Sequence, residues 1–274
     1  MLFEVEHITT YRYSVPVRLG EHWLRFCPIA SPTQEVLDCH FDLTPAPVDM
    51  QQTQDNWGNT ICCCRFIGET DSLTINARIG ARTCQRQGYM ADFELPPRYT
   101  QDLTPYLTPT EDDALLHDFV EPLRLAAGSS TLRFLDLLNQ AVHGFYHRGV
   151  RLDGPPHSPA ETLRLGEGVC RDLTVLFSAA CRQLGLATRF VSGYQQGDGT
   201  RAIRYLHAWP EVYLPDVGWI GYDPTHGEPS GETHLAIAAA PQASQVTPVE
   251  GGYTFQGPQL HSTLDTDIRI TTRP

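Results

Sequence analysis

The sequence predicts an α+β protein, and three observations predict it. Residues 1 to about 87 alternate or run apolar with β-branched and aromatic side chains between turn signals. Apolar residues then recur at helical spacing from about 110 to 185. Strand formers return in three short runs between Ala187 and Asp223. The chain therefore reads as an N-terminal antiparallel β region, followed by helices whose last member packs on a second antiparallel sheet.

In the first region the runs F-E-V-E-H-I-T-T-Y-R-Y, E-H-W-L-R-F, Q-E-V-L-D-C-H-F-D-L, T-I-C-C-C-R-F-I and S-L-T-I-N-A-R-I-G-A-R are the candidate strands. Asp55-Asn56-Trp57-Gly58-Asn59 is a turn between two of them, and Pro45-Ala46-Pro47 ends another. Strands at this spacing suggest a small sandwich or open barrel. Between Gly88 and Pro109, repeated prolines and little periodicity predict a stiff connector and place the domain boundary there. The division is 1–87 for the β domain, 88–109 for the connector, 110–227 for the core and 228–274 for the tail.

The core opens with Thr110, a possible cap, followed by Glu111, Asp112 and Asp113 near the positive helix end. A second helix begins near Thr131, with Leu132, Leu135, Leu138, Val142 and Phe145 on one side. Ser158-Pro159-Ala160-Glu161 is a capping box for a short third helix that delivers the chain to Gly166. In the tail, L-A-I-A-A-A-P is a short helix or strand, V-E-G-G-Y-T-F-Q-G-P is loop-like, and S-T-L-D-T-D-I-R-I alternates as a final strand.

The chemistry concentrates between Gly166 and Gly227. Leu173, Leu176, Phe177, Ala180 and Leu184 predict an amphipathic helix that stops at Gly185, and Cys170 stands in its first turn. Free N–H groups and the helix dipole favour a negative charge there, which lowers a thiol pKa from its usual ~8.5. His207 opens one strand and Asp223 ends the next, joined through the turn signal Pro215-Asp216-Val217-Gly218. A thiolate with an imidazole beside it, oriented by a carboxylate, is the constellation for acyl transfer. Side chains alternate along strands, so a plain even-length loop would put Asp223 on the wrong face from His207. An odd loop closing at Gly218, or a bulge, is therefore expected, and Pro210 inside the first strand fits such an irregularity. Against this stands the plain reading, since a single cysteine near a helix start is more often packing than catalysis.

The segments G-V-C-R-D, A-T-R-F-V-S-G-Y, H-A-W-P-E-V-Y-L-P and G-W-I-G-Y-D-P-T together resemble the core of the transglutaminase-like superfamily, in its bacterial branch of transglutaminase-like proteins and candidate cysteine proteases. The likeness spans about residues 110 to 227, and Leu19 to His22 resembles a segment of the branch's N-terminal β region. It implies a papain-like catalytic domain with Cys170 as nucleophile, His207 as base and Asp223 as orienting acid. Pro210 and His226 depart from the family's usual residues, a branched aliphatic or small residue and an asparagine. Asp172, which recurs in the branch, is read as structural. The resemblance also implies a second oxyanion donor upstream, where Tyr146 and His147 are candidates by position.

The formal charge is −12, from 20 basic and 32 acidic residues, which disfavours nucleic acid and anionic lipid as partners. The acidic N-terminus lacks a signal-peptide pattern, and no apolar run reaches membrane-spanning length. Eight cysteines without a framework of spacings suggest a reduced compartment and a bacterial cytoplasmic protein. Adjacent Cys62, Cys63 and Cys64 alternate in direction along a strand, so no metal is expected there, and Cys170, His207 and Asp223 lack a fourth-ligand signature. The expectation is an enzyme without cofactor or metal, acting on a peptide, protein or small amide. Three readings remain open: hydrolysis, transamidation by an amine, and an idle binding module.

Overall fold

The computed structural model describes residues 1–86, 92–109, 113–146, 151, 154–197 and 204–274. Its first strand, β1 (Leu2–Leu24), is the axis of a seven-stranded antiparallel sheet. Phe3, Val5, His7, Thr9, Tyr13, Val17 and Leu19 are buried, all at odd positions, and then His22 and Leu24 at even ones. The parity changes where the pairing register slips between Leu19 and His22, as a bulge requires. β2 (Gln34–Thr44), β3 (Asp49–Gln54), β4 (Thr60–Arg65) and β5 (Thr70–Thr83) give the order β2-β5-β1-β4-β3.

The expected turn joins β3 to β4, with Asp55 Oδ1 accepting from the backbone N–H of Trp57 and Asn59 at 2.9 Å each. Cys62 and Cys64 point into the core while Cys63 is half-buried. Cys27 and Cys39 form a disulfide with a Cα separation of 5.6 Å. This differs from the expectation of free thiols: the two lie on segments whose proximity is created by the sheet, not by a sequence spacing.

A single helical turn, α1 (Thr104–Leu107), interrupts the proline-rich segment. α2 (Ala114–Ala127) is capped by Asp113, whose carboxylate accepts from Leu115 N at 2.8 Å. The cap expected at Thr110, with Glu111 and Asp112, lies outside the described residues. α3 (Thr131–His143) starts at Ser130 and buries Phe134, Leu135, Leu138 and Val142. α4 (Pro159–Leu165) starts as the capping motif predicts, with Ser158 Oγ accepting from Glu161 N at 3.2 Å.

Next comes α5 (Cys170–Gln183), then β6 (Thr188–Gln195), β7 (His207–Leu214), β8 (Gly218–Asp223), the short β9 (Glu228–Pro229) and β10 (His234–Ala240). They form an antiparallel sheet in the order β10-β6-β7-β8-β9. Leu173, Leu176 and Phe177 of α5 pack on Val212, Leu214, Ile220 and Tyr222 of this sheet. The protein is thus α+β, with the N-terminal antiparallel sheet and then a helix packed on an antiparallel sheet.

β11 (Val249–Phe255) and β12 (Ser262–Arg273) return to the first sheet and pair with β1. The loop expected at β11 is therefore a strand. Its glycines read as turn residues, but Gly251 answers a close approach: a Cβ there would lie 2.4 Å from the His22 ring across the ladder. β10 ties the two sheets. Leu235 and Ile237 enter the N-terminal core, while the side-chain amide of Gln34 pairs with Ala236 N and O at 2.8 Å each. Asn59 does the same to Ala239, at 2.7 and 3.0 Å. Two amides from the first sheet thereby satisfy the edge strand of the second.

Candidate active site

Cys170 is the first residue of α5, and the turn before it is built by two glycines. Gly166 takes the left-handed conformation (φ 70°) that ends α4. Gly168 passes so close that a Cβ would lie 3.0 Å from Asp172 Cβ and 3.3 Å from Thr162. Its N–H donates to Phe145 O at 2.7 Å, which ties the nucleophile turn to the end of α3.

Asp172 is fully buried and reaches back over the helix start. Its Oδ2 accepts from Val169 N at 2.9 Å, and its Oδ1 from His157 N at 2.8 Å and from the Arg151 guanidinium. Burial alone would raise its pKa, but these bonds and the charge of Arg151 hold it below the usual carboxylate value. The structural role expected for Asp172 is the role its contacts describe, and with Arg151 paired to it the carboxylate does not face the thiol as an uncompensated charge.

His207 and Asp223 share a face because the hairpin loop is odd. Leu214 pairs with Gly218, leaving Pro215, Asp216 and Val217 as a three-residue loop. Asp216 (φ 61°) and Gly218 (φ 88°) make the reversal in the left-handed region. The expected irregularity is present, and the β7–β8 ladder ends at Glu211, next to Pro210, which has no N–H to offer. Opposite His207 stands Gly193, where a Cβ would lie 2.6 Å from the Trp209 ring; that indole stacks on His207 with centroids 6.0 Å apart.

The structure brings the three sequence-selected residues together. His207 Nε2 lies 2.8 Å from Asp223 Oδ2, and the Cys170 thiol stands near enough to the His207 ring and the Ala208 backbone to feel both. Asp223 is fully buried, His207 is 11% exposed, and Cys170 is half-buried. Burial alone would raise the Cys170 pKa, yet the hydrogen bond and charge of His207, the Ala208 backbone and Arg171 bring it below the ordinary thiol value. Burial would lower that of His207, but the charge and hydrogen bond of Asp223, joined by those of Cys170, push it up to about 10. Against burial, the charge of His207 and the bonds from three imidazoles hold Asp223 far below the carboxylate range. The two shifts run in opposite directions, each of the pair favouring the charged form of the other.

Two histidines not selected from the sequence join the site. His226 Nδ1 lies 2.7 Å and His234 Nε2 2.9 Å from the same Asp223 Oδ2, and Oδ1 accepts from Thr225 N at 2.9 Å. His226 was readable, since it sits three residues after Asp223 in the turn closed by Gly227 N and Asp223 O at 2.8 Å. His234 had no local signal, because β10 reaches Asp223 only through the sheet. The ligand atoms of His207, Asp223 and His226 lie within 4.8 Å of one another. They are the same atoms that pair at hydrogen-bond distance around Asp223 Oδ2. Tyr146 stacks on His143, with centroids 6.4 Å apart, and its backbone bridges Gly168; His147 lies outside the described residues. His143 Nδ1 and Gln140 Nε2 hold Pro224 O and Gly227 O at 2.9 and 2.5 Å, which clamps the loop after Asp223 onto α3.

Residues 3–81 match the bacterial transglutaminase-like N-terminal region, and residues 127–224 match the transglutaminase-like superfamily core. The chain belongs to the transglutaminase-like superfamily. A crystal structure of a candidate cysteine protease from Cytophaga hutchinsonii has the same fold, with a TM-score of 0.74 at 18% identity, covering 100% of this chain and 92% of that one. An uncharacterized protein of Mycobacterium tuberculosis is 25% identical over 274 residues, 91% of this chain and 86% of its own. A protein-glutamine gamma-glutamyltransferase of Pseudomonas aeruginosa is 35% identical over 66 residues, 22% of this chain and 10% of that one. Membership in the transglutaminase-like superfamily supports reading the chain as an enzyme.

Proposed function

We propose that the protein is a thiol-dependent amide hydrolase in which Cys170, His207 and Asp223 act as nucleophile, acid–base and orienting carboxylate. The observation that carries this reading is the His207 ring, held by buried Asp223 at 2.8 Å and set beside the helix-start thiol of Cys170. Because His207 Nε2 is engaged by the carboxylate, Nδ1 is the nitrogen left for the sulfur. The thiolate attacks the amide carbon, and the tetrahedral oxyanion collapses as the C–N bond breaks. The imidazolium gives its Nδ1 proton to the departing amine, leaving a thioester on Cys170. Water, losing a proton to the now neutral His207, attacks the thioester, and the acid leaves as the thiol sulfur recovers its proton or stays as thiolate.

A second reading keeps every residue and changes the acceptor: an amine in place of water gives transamidation. It is favoured by the similarity to the Pseudomonas glutamyltransferase segment. The test is a peptide and amide library incubated with and without a primary amine, wild type against Cys170→Ala. Release of free acid that Cys170→Ala abolishes supports hydrolysis, and amine incorporation supports the second reading. No Cys170-dependent turnover, with Cys170 no more reactive than the other thiols, would favour a binding module.

A further inference from the structure

We infer that His226 and His234 are positioning residues that share the Asp223 carboxylate with His207. This rests on the reading of Cys170, His207 and Asp223 as the reactive set. A carboxylate held ionised is acceptor only, so each imidazole nitrogen within 2.9 Å of Oδ2 must carry its proton there. That fixes three tautomers at once. His207 donates from Nε2 and turns Nδ1 to the thiol. His234 donates from Nε2, and its Nδ1 meets the Thr233 hydroxyl at 3.0 Å and the Gly231 N–H at 3.4 Å. Two donors at that nitrogen are what a neutral ring with an acceptor Nδ1 would attract. His226 donates from Nδ1, and its ring is 45% exposed at the rim.

The consequence is quantitative. A carboxylate oxygen serving one imidazole pulls that ring's proton strongly; one serving three is already stabilised and pulls each less. His226 and His234 therefore moderate the basicity of His207, so that its imidazolium can still release a proton to a leaving amine. They also fix the carboxylate from two further directions, one from the turn after β8 and one from β10. Among the described residues, the charged and titratable groups around Asp223 include His207 on β7, with Cys170 of α5 beyond it, His226 and Glu228 after β8, His234 on β10, and His143 on α3, which touches Pro224 O.

The experiment uses the full chain and reads Cys170 alkylation by iodoacetamide against pH, peptide by peptide, with circular dichroism to check folding. His226→Ala removes one donor, so the acid limb of the Cys170 profile should move to lower pH by roughly one unit, the effect of one charge-assisted hydrogen bond. His226→Asn keeps a donor and should restore the wild-type profile. His234→Gln should likewise stay near wild type, while folded His234→Leu moves in the same direction as His226→Ala. Proton NMR of the wild type should show three downfield imidazole N–H signals, each lost in one His variant. A single such signal, or a His226→Ala profile superimposed on wild type, overturns the inference. If wild-type Cys170 is unreactive, the hydrolase reading fails, and the NMR signals still decide the hydrogen-bond sharing.

Discussion

Cys170 and Cys181 lie on the same helix, one in its first turn and one in its last, and their surroundings give the same thiol opposite characters. Cys181 is fully buried among apolar side chains, and burial raises its pKa well above the ordinary value, against a small opposing influence from Arg182. Cys170 is half-buried at the helix start, where His207 and the Ala208 backbone outweigh burial and lower it. Position on a helix sets only part of reactivity; the partner brought in from the sheet decides the rest.

The largest expected effect separates these two thiols. Cys170→Ala should lower turnover on any accepted amide by about 10⁴-fold or more, whereas Cys181→Ala should leave the rate within about threefold and cost roughly 1 kcal/mol of stability. Parallel kinetics and urea unfolding check both halves; similar losses of activity would dissolve the contrast.

The two buried carboxylates sharpen it next. Asp223→Asn, which keeps the volume but lets the amide face His207 in either sense, should slow turnover by about 10²–10⁴-fold. Asp172→Asn should act on stability, by about 2–4 kcal/mol, because the two N–H groups and the Arg151 charge it satisfies lose their anion. The pH dependence follows in sign. The folded pKa of Asp172 lies below its unfolded value of ~3.9, so its contribution is complete above that value and is lost as pH falls through the folded pKa. Urea titrations from pH 5 down to about pH 2 should therefore show a shallower acid loss in Asp172→Asn than in wild type.

How much of this was legible in the chain depended on whether the signal was local. Cys170 could be placed from the apolar spacing of its own helix, and the odd loop between Leu214 and Gly218 followed from the parity of His207 and Asp223 alone. The capping of α4 by Ser158 is likewise a relation within a few residues. What was illegible is long-range. β11 looked like a loop because Gly251 answers to His22, a residue from the far end of the chain. Cys27 and Cys39 meet only when the first sheet forms. His234 reaches Asp223 only after β10 has joined β6.

A smaller effect probes one of these long-range features. Gly251→Ala drives a methyl into the His22 ring and should cost about 1–3 kcal/mol, with little change in turnover, since β11 pairs with β1 in the other sheet. Thermal unfolding checks it; a neutral result would mean that His22 moves aside freely.

The most direct measurement is the pH dependence of Cys170 alkylation in the folded wild type, compared with the same peptide in denatured protein. Because His207 is pushed up to about 10 while Cys170 is lowered, the folded thiol should label readily at pH 6, and His207→Ala should abolish that advantage. A folded Cys170 whose rate follows the denatured one, falling tenfold per pH unit below ~8.5, would contradict the thiolate–imidazolium pair.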